Sequence, residues 1–249
     1  LIFNHLLLIQ VGTPPDDIRD PLGDFPLWFH RVLRHPGEAL HVVRVFEGEH
    51  LPAPKAVRGA IITGSWHMVT ERLPWSEATA HWIRDAMAIE LPLFGICYGH
   101  QLIAHALGGR VDYHPQGREI GTQTIRLLAG AEDDPLLQAM PVRFSAHLTH
   151  MQTIIDLPIG ARALAASDHD RHQIVRYGPN AISTQFHPEF TPEICAAIIR
   201  LRTETLCHEG RDPTSLLAAV EDAPEPAGLL RRFATLTLHM QPTAASVSA

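Results

Sequence analysis

The sequence predicts an α/β fold: a mostly parallel central sheet with helices on both faces, extra antiparallel strands and C-terminal helices. Three observations predict it. Over roughly the first hundred residues, short apolar runs alternate with stretches of helical spacing. After Gly109 the texture changes to shorter strand-like runs separated by turn residues. From Pro192 onward the apolar positions return to helical spacing. No internal repeat and no linker divides the 249 residues, so 1–249 is expected to be one domain, with 210–249 as a C-terminal helical tail.

Residues 6–11 are continuously apolar apart from Gln10 and close on Gly12-Thr13-Pro14-Pro15, which predicts a buried strand of the parallel type. The opening lacks a basic segment and a small-residue cleavage site, so it reads as a strand and not as a signal peptide. Residues 27–33 fit a helix, 39–46 a second strand, and 58–63 a third that ends at Gly64-Ser65. The spacing over 75–89 is helical, with Ser76 and Glu77 at its start. A fourth strand, 93–96, leads directly into Cys97. Strands are then expected at 110–112, 121–128, 142–146, 161–167, 173–177 and 181–185. They read as antiparallel additions to the main sheet, with a later strand returning to its centre. Thr191 caps an amphipathic helix over 192–207 with Pro192 at its first position. Two further helical pieces, 214–220 and 227–238, are separated by Pro224 and Pro226, and 243–249 reads as a small, polar, mobile end.

Composition excludes several functions. A net charge of −7 without a basic block argues against nucleic acid as a partner. No run is long enough to span a membrane. Three cysteines, Cys97, Cys195 and Cys207, are too few and too odd for a disulfide scaffold and suit a reducing, cytoplasmic setting. The 17 histidines are scattered, without His-Glu-x-x-His or Cys-x-x-Cys spacing, so neither a metal nor another cofactor is expected.

The chemistry concentrates at Gly95-Ile96-Cys97-Tyr98-Gly99. A cysteine between two glycines at a strand-to-helix switch has the form of a nucleophile elbow, in which the turn is too tight for flanking side chains. At the first turn of the helix, unpaired N–H groups favour a thiolate over a thiol. Such a nucleophile needs a base, an orienting group and an oxyanion site. Gln185-Phe186-His187-Pro188-Glu189 stands directly after an apolar strand and supplies two of them. His187 at a strand end is placed to take the thiol proton and return it to a leaving amine. Glu189, two residues on, has the reach to hold the other ring nitrogen and fix its tautomer.

The order Cys, His, Glu, together with GICYGHQLIAHALGG, QFHPE and the Gly64-Ser65 turn, resembles the class I glutamine amidotransferases, in particular their GMP-synthase-like, stand-alone branch. The resemblance runs to about Leu206. It implies a flavodoxin-like sheet and a catalytic triad of Cys97, His187 and Glu189. It further implies an oxyanion hole built from the backbone N–H of Tyr98 and of the Gly64-Ser65 turn, where many relatives have Gly-Gly-Pro. Gln101 matches a pocket-lining glutamine. Thr149, His150 and Met151 match a segment whose backbone holds the amino-acid end of the substrate. Gln152 replaces an aspartate there, so this spot brings no negative charge to a substrate ammonium. Glu119-Ile120-Gly121 resembles a pocket-flanking element.

What the resemblance implies chemically is attack of Cys97 on the γ-carbonyl of glutamine, release of ammonia, and hydrolysis of a γ-glutamyl thioester to glutamate. No Gly-rich nucleotide loop follows His187, so the ammonia would go to a separate synthase subunit. The alternative is a γ-glutamyl peptidase acting on γ-glutamyl small molecules such as glutathione conjugates, with the same triad and a different pocket beyond the scissile bond. A non-catalytic binding or regulatory module would show a lost Cys, His or Glu, and all three are present.

Overall fold

A computed structural model describes residues 5–33 and 40–240. The strands are β1 (Leu7–Gln10), β2 (His41–Arg44), β3 (Ala60–Ile62), β4 (Leu93–Ile96), β5 (Arg110–Tyr113), β6 (Glu119–Leu127), β7 (Arg143–His150), β8 (Gln152–Asp156), β9 (Arg162–Ala166), β10 (Ile174–Arg176) and β11 (Ala181–Thr184). The helices are α1 (Asp16–Leu22), α2 (Phe25–Leu33), α3 (Pro74–Ala88), α4 (Tyr98–Ala106), α5 (Pro192–Leu201), α6 (Thr203–His208), α7 (Pro213–Ala218) and α8 (Pro224–His239). Ala39, at the start of the expected second strand, and the expected mobile end over 243–249 lie outside the described residues.

Nine strands form one sheet in the order β2-β1-β3-β4-β11-β10-β9-β6-β7. The half from β2 to β11 is parallel, and β10, β9, β6 and β7 continue it antiparallel. The expected returning strand is β11, which runs beside β4 with Thr184 level with Ile96. It brings the segment carrying His187 to the end of the strand that precedes Cys97.

Alternate residues of the parallel strands bury opposite faces, as the period of two requires. Leu8, Ile61 and Phe94 enter one cluster, with Trp28, Ile198 and Phe233 from α2, α5 and α8. Leu7, Ile62 and Leu93 enter the other, with Ile83 and Leu102 from α3 and α4. These strands therefore read as continuous apolar runs because both faces are covered. Burying one such side chain is worth roughly 1.5–3 kcal/mol.

Four expectations need correction. Helix α1 is absent from the expected elements, because Pro14, Pro15 and Pro21 make this stretch read as a turn; Pro15 in fact precedes the first helical residue, and Pro21 sits in a helix of only 7 residues. The expected helix over 192–207 is interrupted at Arg202, which separates α5 from α6. Strand β8 is also absent from them, because its polar Gln152 and Thr153 hide its apolar centre; Ile154 packs against the α3–α4 face. Finally, β5 does not join the main sheet. It pairs antiparallel with β8 in a separate two-stranded ribbon.

Candidate active site

The backbone around Cys97 is closely packed. A side chain on Gly95 would come within 2.6 Å of the Gly99 carbonyl, and one on Gly99 within 2.5 Å of the Ile62 carbonyl. Helix α4 can start this close to the sheet only with both glycines in place. Cys97 itself holds φ +50°, an uncommon conformation for a residue with a side chain, which costs on the order of 1–3 kcal/mol. Its N–H donates to the Thr184 carbonyl at 2.9 Å, so β11 fixes the turn. The side chain is 6% exposed, with Sγ 3.9 Å from the Thr149 carbonyl. Tyr98 is the first residue of α4, so no helical carbonyl one turn earlier accepts from its N–H.

His187 and Glu189 are buried behind the sulfur. The backbone N–H of His187 donates to the His147 carbonyl, and the ring stacks on Phe190 with centroids 3.9 Å apart and planes 11° apart. Nδ1 lies 2.7 Å from Glu189 Oε1, which directs Nε2 away from the carboxylate. A side chain on Gly64 would reach within 2.8 Å of His187 Cε1 and 3.7 Å of Cys97 Cβ, so ring, sulfur-bearing carbon and the Gly64-Ser65 turn share one small volume. Burial disfavours a charged ring here. The negative charges of Glu189 and Cys97, and hydrogen bonding to both side chains, outweigh it and push the His187 pKa up to about 10. Nε2 is buried and makes no hydrogen bond of full geometry, and the Cys97 side chain is the group close enough to act on it.

The opposite wall is the turn from β7 to β8. His150 Nδ1 lies 2.9 Å from the Gln152 carbonyl and Nε2 lies 2.9 Å from Glu119 Oε2. Gln173 donates to the same carboxylate oxygen. Burial opposes charge on this ring as well, but the hydrogen bond to Glu119 and the charges of Asp170 and Glu119 raise its pKa. Gln101 Nε2 donates to the Gln152 carbonyl at 2.6 Å and to Gln185 Oε1 at 2.9 Å. Gln101 is therefore a buried tie between the walls and not a solvent-facing helix residue. The Gln152 amide turns to Thr70, so it brings no charge to the site.

A narrow pocket opens between these walls. Ser65, Cys97, Tyr98, Gln101 and 149–151 line it together with Arg118 and Arg202. Neither arginine stands out in the sequence. Arg118 lies next to Glu119 with no motif of its own, and Arg202 falls within the expected helix over 192–207. Phe190 and His147 are also silent there; only the proximity of Phe190 to the Gln-Phe-His-Pro-Glu run could point to it. Two residues of the pocket lining carry buried polar atoms without hydrogen-bond partners, Thr149 Oγ1 and Arg202 Nε, and His187 Nε2 beside Cys97 is a third. A buried polar atom left unpaired calls for a partner, and a ligand seated in the pocket would supply one.

The fold and this arrangement define a class, and comparison with known proteins supports the same one. The family profile "Glutamine amidotransferase class-I" matches residues 22–200, and the chain belongs to that family. It is 30% identical to a subunit of the glutamine-hydrolyzing GMP synthase of Methanocaldococcus jannaschii, over 69% of this chain and 86% of that one. It is 28% identical to γ-glutamyl peptidase 4 of Arabidopsis thaliana, over 77% of this chain and 78% of that one. The crystal structure of a glutamine amidotransferase from Thermotoga maritima superposes with a TM-score of 0.77 at 23% identity, covering 96% of this chain and all of that one, and shows the same flavodoxin-like architecture. Among the described residues no helix is long and apolar enough to cross a membrane.

Proposed function

We propose that the chain hydrolyses the γ-amide of glutamine through a cysteine γ-glutamyl thioester. The observation that carries this reading is the His187 ring held between Glu189 at 2.7 Å and the Cys97 side chain, in surroundings that favour the imidazolium. Cys97 Sγ attacks the γ-carbonyl carbon, and the carbonyl electron pair moves onto oxygen. The backbone N–H of Tyr98 and of the Gly64-Ser65 turn receive that oxyanion, a contribution on the order of 3–4 kcal/mol per donor in hydrolases of this kind. The C–N bond breaks as His187 gives its proton to nitrogen, and ammonia leaves. Water, deprotonated by His187, then attacks the thioester, and glutamate leaves with the thiolate restored. Glu189 holds the ring tautomer throughout. The ammonia passes to a separate synthase subunit in a reducing, cytoplasmic compartment.

The second reading is hydrolysis of a γ-glutamyl peptide bond. The long two-sided match to a γ-glutamyl peptidase favours it, and Gln152 in place of an aspartate weakens the hold on a free glutamine ammonium. The purified chain should be given L-glutamine and glutathione side by side. Ammonia from glutamine supports the first reading. Glutamate from glutathione with no ammonia from glutamine replaces it with the second, and turnover of neither contradicts both.

A further inference from the structure

The pocket beside Cys97 carries more positive charge than the triad chemistry uses. None of the side chains lining it is acidic, and two are arginines. Arg118 is 5% exposed and gives Nε and Nη2 to Glu209, with Nη2 also 2.9 Å from Met151 Sδ. Its Nη1 makes no hydrogen bond among the described residues. Arg202 has no ion pair there at all, and its Nε is buried without a partner. Burial and the Arg118 charge press Arg202 below the usual guanidinium range, with Glu209 and Cys97 opposing. A guanidinium stays charged under such pressure, so one carboxylate faces two cations. An uncompensated charge in a half-buried site is costly unless something pairs with it.

The backbone puts Arg202 there. Helix α5 stops at Leu201 and α6 begins at Thr203, so Arg202 occupies the break itself, its N–H shared between the Ile198 and Ile199 carbonyls. Glu209, just past the end of α6, fixes Arg118. The break that interrupts an otherwise amphipathic helix thus delivers one guanidinium to the pocket, and the short helix after it anchors the other.

We infer that Arg202, with Arg118 beside it, binds the α-carboxylate of a γ-glutamyl substrate. This rests on the proposed γ-glutamyl chemistry and names which end of the substrate is read. Arg118 touches Met151, in the 149–151 segment that the family resemblance assigns to the amino-acid end of the substrate, and on that assignment the cations stand at that end and not at the leaving nitrogen. Guanidinium is the group best matched to a carboxylate, through parallel N–H donors. Arg202 acts on binding, and its loss falls on KM and not on kcat.

The test has a binding arm and a turnover arm. L-Glutamate is titrated calorimetrically into C97A and into C97A carrying R202Q or R202K. The expected result is binding by C97A, weakened about tenfold to a hundredfold by R202Q and less by R202K, as loss of one charged hydrogen-bonded contact implies. In the turnover arm, γ-glutamyl-p-nitroanilide and its α-methyl ester are compared in wild type and R202Q. R202Q should raise KM at least tenfold for the free acid with kcat within twofold. The ester should be a poor substrate for both proteins alike. Absence of glutamate binding by C97A, equal binding with and without R202Q, or a loss confined to kcat would overturn the assignment. So would a changed pH profile of Cys97 alkylation in R202Q, because the arginine would then serve the thiolate. The binding arm stands if wild type turns over neither nitroanilide, a result that counts against the hydrolytic reading alone. Melting temperatures of all variants separate a lost contact from a lost fold.

Discussion

The two walls of the pocket are built differently. The Cys97 wall comes from parallel strands whose ends converge, and it stores strain and unpaired groups: a cysteine at φ +50° and a histidine nitrogen without a full hydrogen bond. The facing wall is the turn from β7 to β8 and its surroundings, and its polar groups are largely paired, Glu119 with His150 and Gln173, and Gln152 with Gln101, which reaches across from α4 and also holds Gln185. On the proposed function, the first wall reacts and the second holds shape. That division teaches where substitutions should strike kcat and where they should strike KM or stability.

The largest effect should come from the reactive wall. C97S should keep the fold, with a melting temperature near wild type, and lower kcat by about a thousandfold or more. Retention of most of the activity would remove the covalent step. H187A should cost nearly as much, and E189Q less, about tenfold to a hundredfold, because Phe190 stacking still orients the ring. Equal losses in steady-state kinetics would mean that Glu189 does more than orient. G64A sharpens the same contrast. Its methyl group would sit 2.8 Å from His187 Cε1, so it should reduce kcat by at least tenfold while changing KM little.

The facing wall should respond differently. E119Q removes a charge from the pair with His150 and should raise KM severalfold with a smaller change in kcat, measured on the same substrates. A change only in kcat would show that this wall takes part in the chemistry.

Buried histidines give the smallest effect, and its sign separates two of them. Burial lowers the His147 pKa to about 4, with the His187 charge adding to it. The unfolded chain binds this proton near pH 6.5 and the folded chain does not, so stability falls as pH drops from about 6.5 towards 4. H147Q should flatten that part of a denaturant-midpoint profile by on the order of 1–3 kcal/mol. His187 has the opposite sign. Its raised pKa contributes stability below pH 6.5 that is lost as pH rises through about 10. An unchanged acid limb in H147Q would show that the His147 ring takes up its proton alike in the folded and unfolded chain.

The reactive wall was largely legible in the sequence. Gly95, Cys97 and Gly99 are constrained by a close backbone approach that leaves few alternatives, and His187 with Glu189 is local in sequence as well as in space. The facing wall was legible only through resemblance, since the contacts that shape it join residues far apart, such as Glu119 to His150 and Gln101 to Gln185. Periodicity found both faces of the parallel strands because burial on two sides leaves an unbroken apolar run. It failed at β8, where Gln152 and Thr153 serve the polar network, and at Arg202, where a helical pattern continues across a broken backbone.

The most direct test of the central claim is rapid acid quench of the enzyme turning over L-glutamine, followed by mass spectrometry of its peptides. A γ-glutamyl adduct confined to Cys97, accumulating and then decaying as glutamate appears, is the predicted result. Ammonia release with no adduct on Cys97, or undiminished release by C97A, would contradict it.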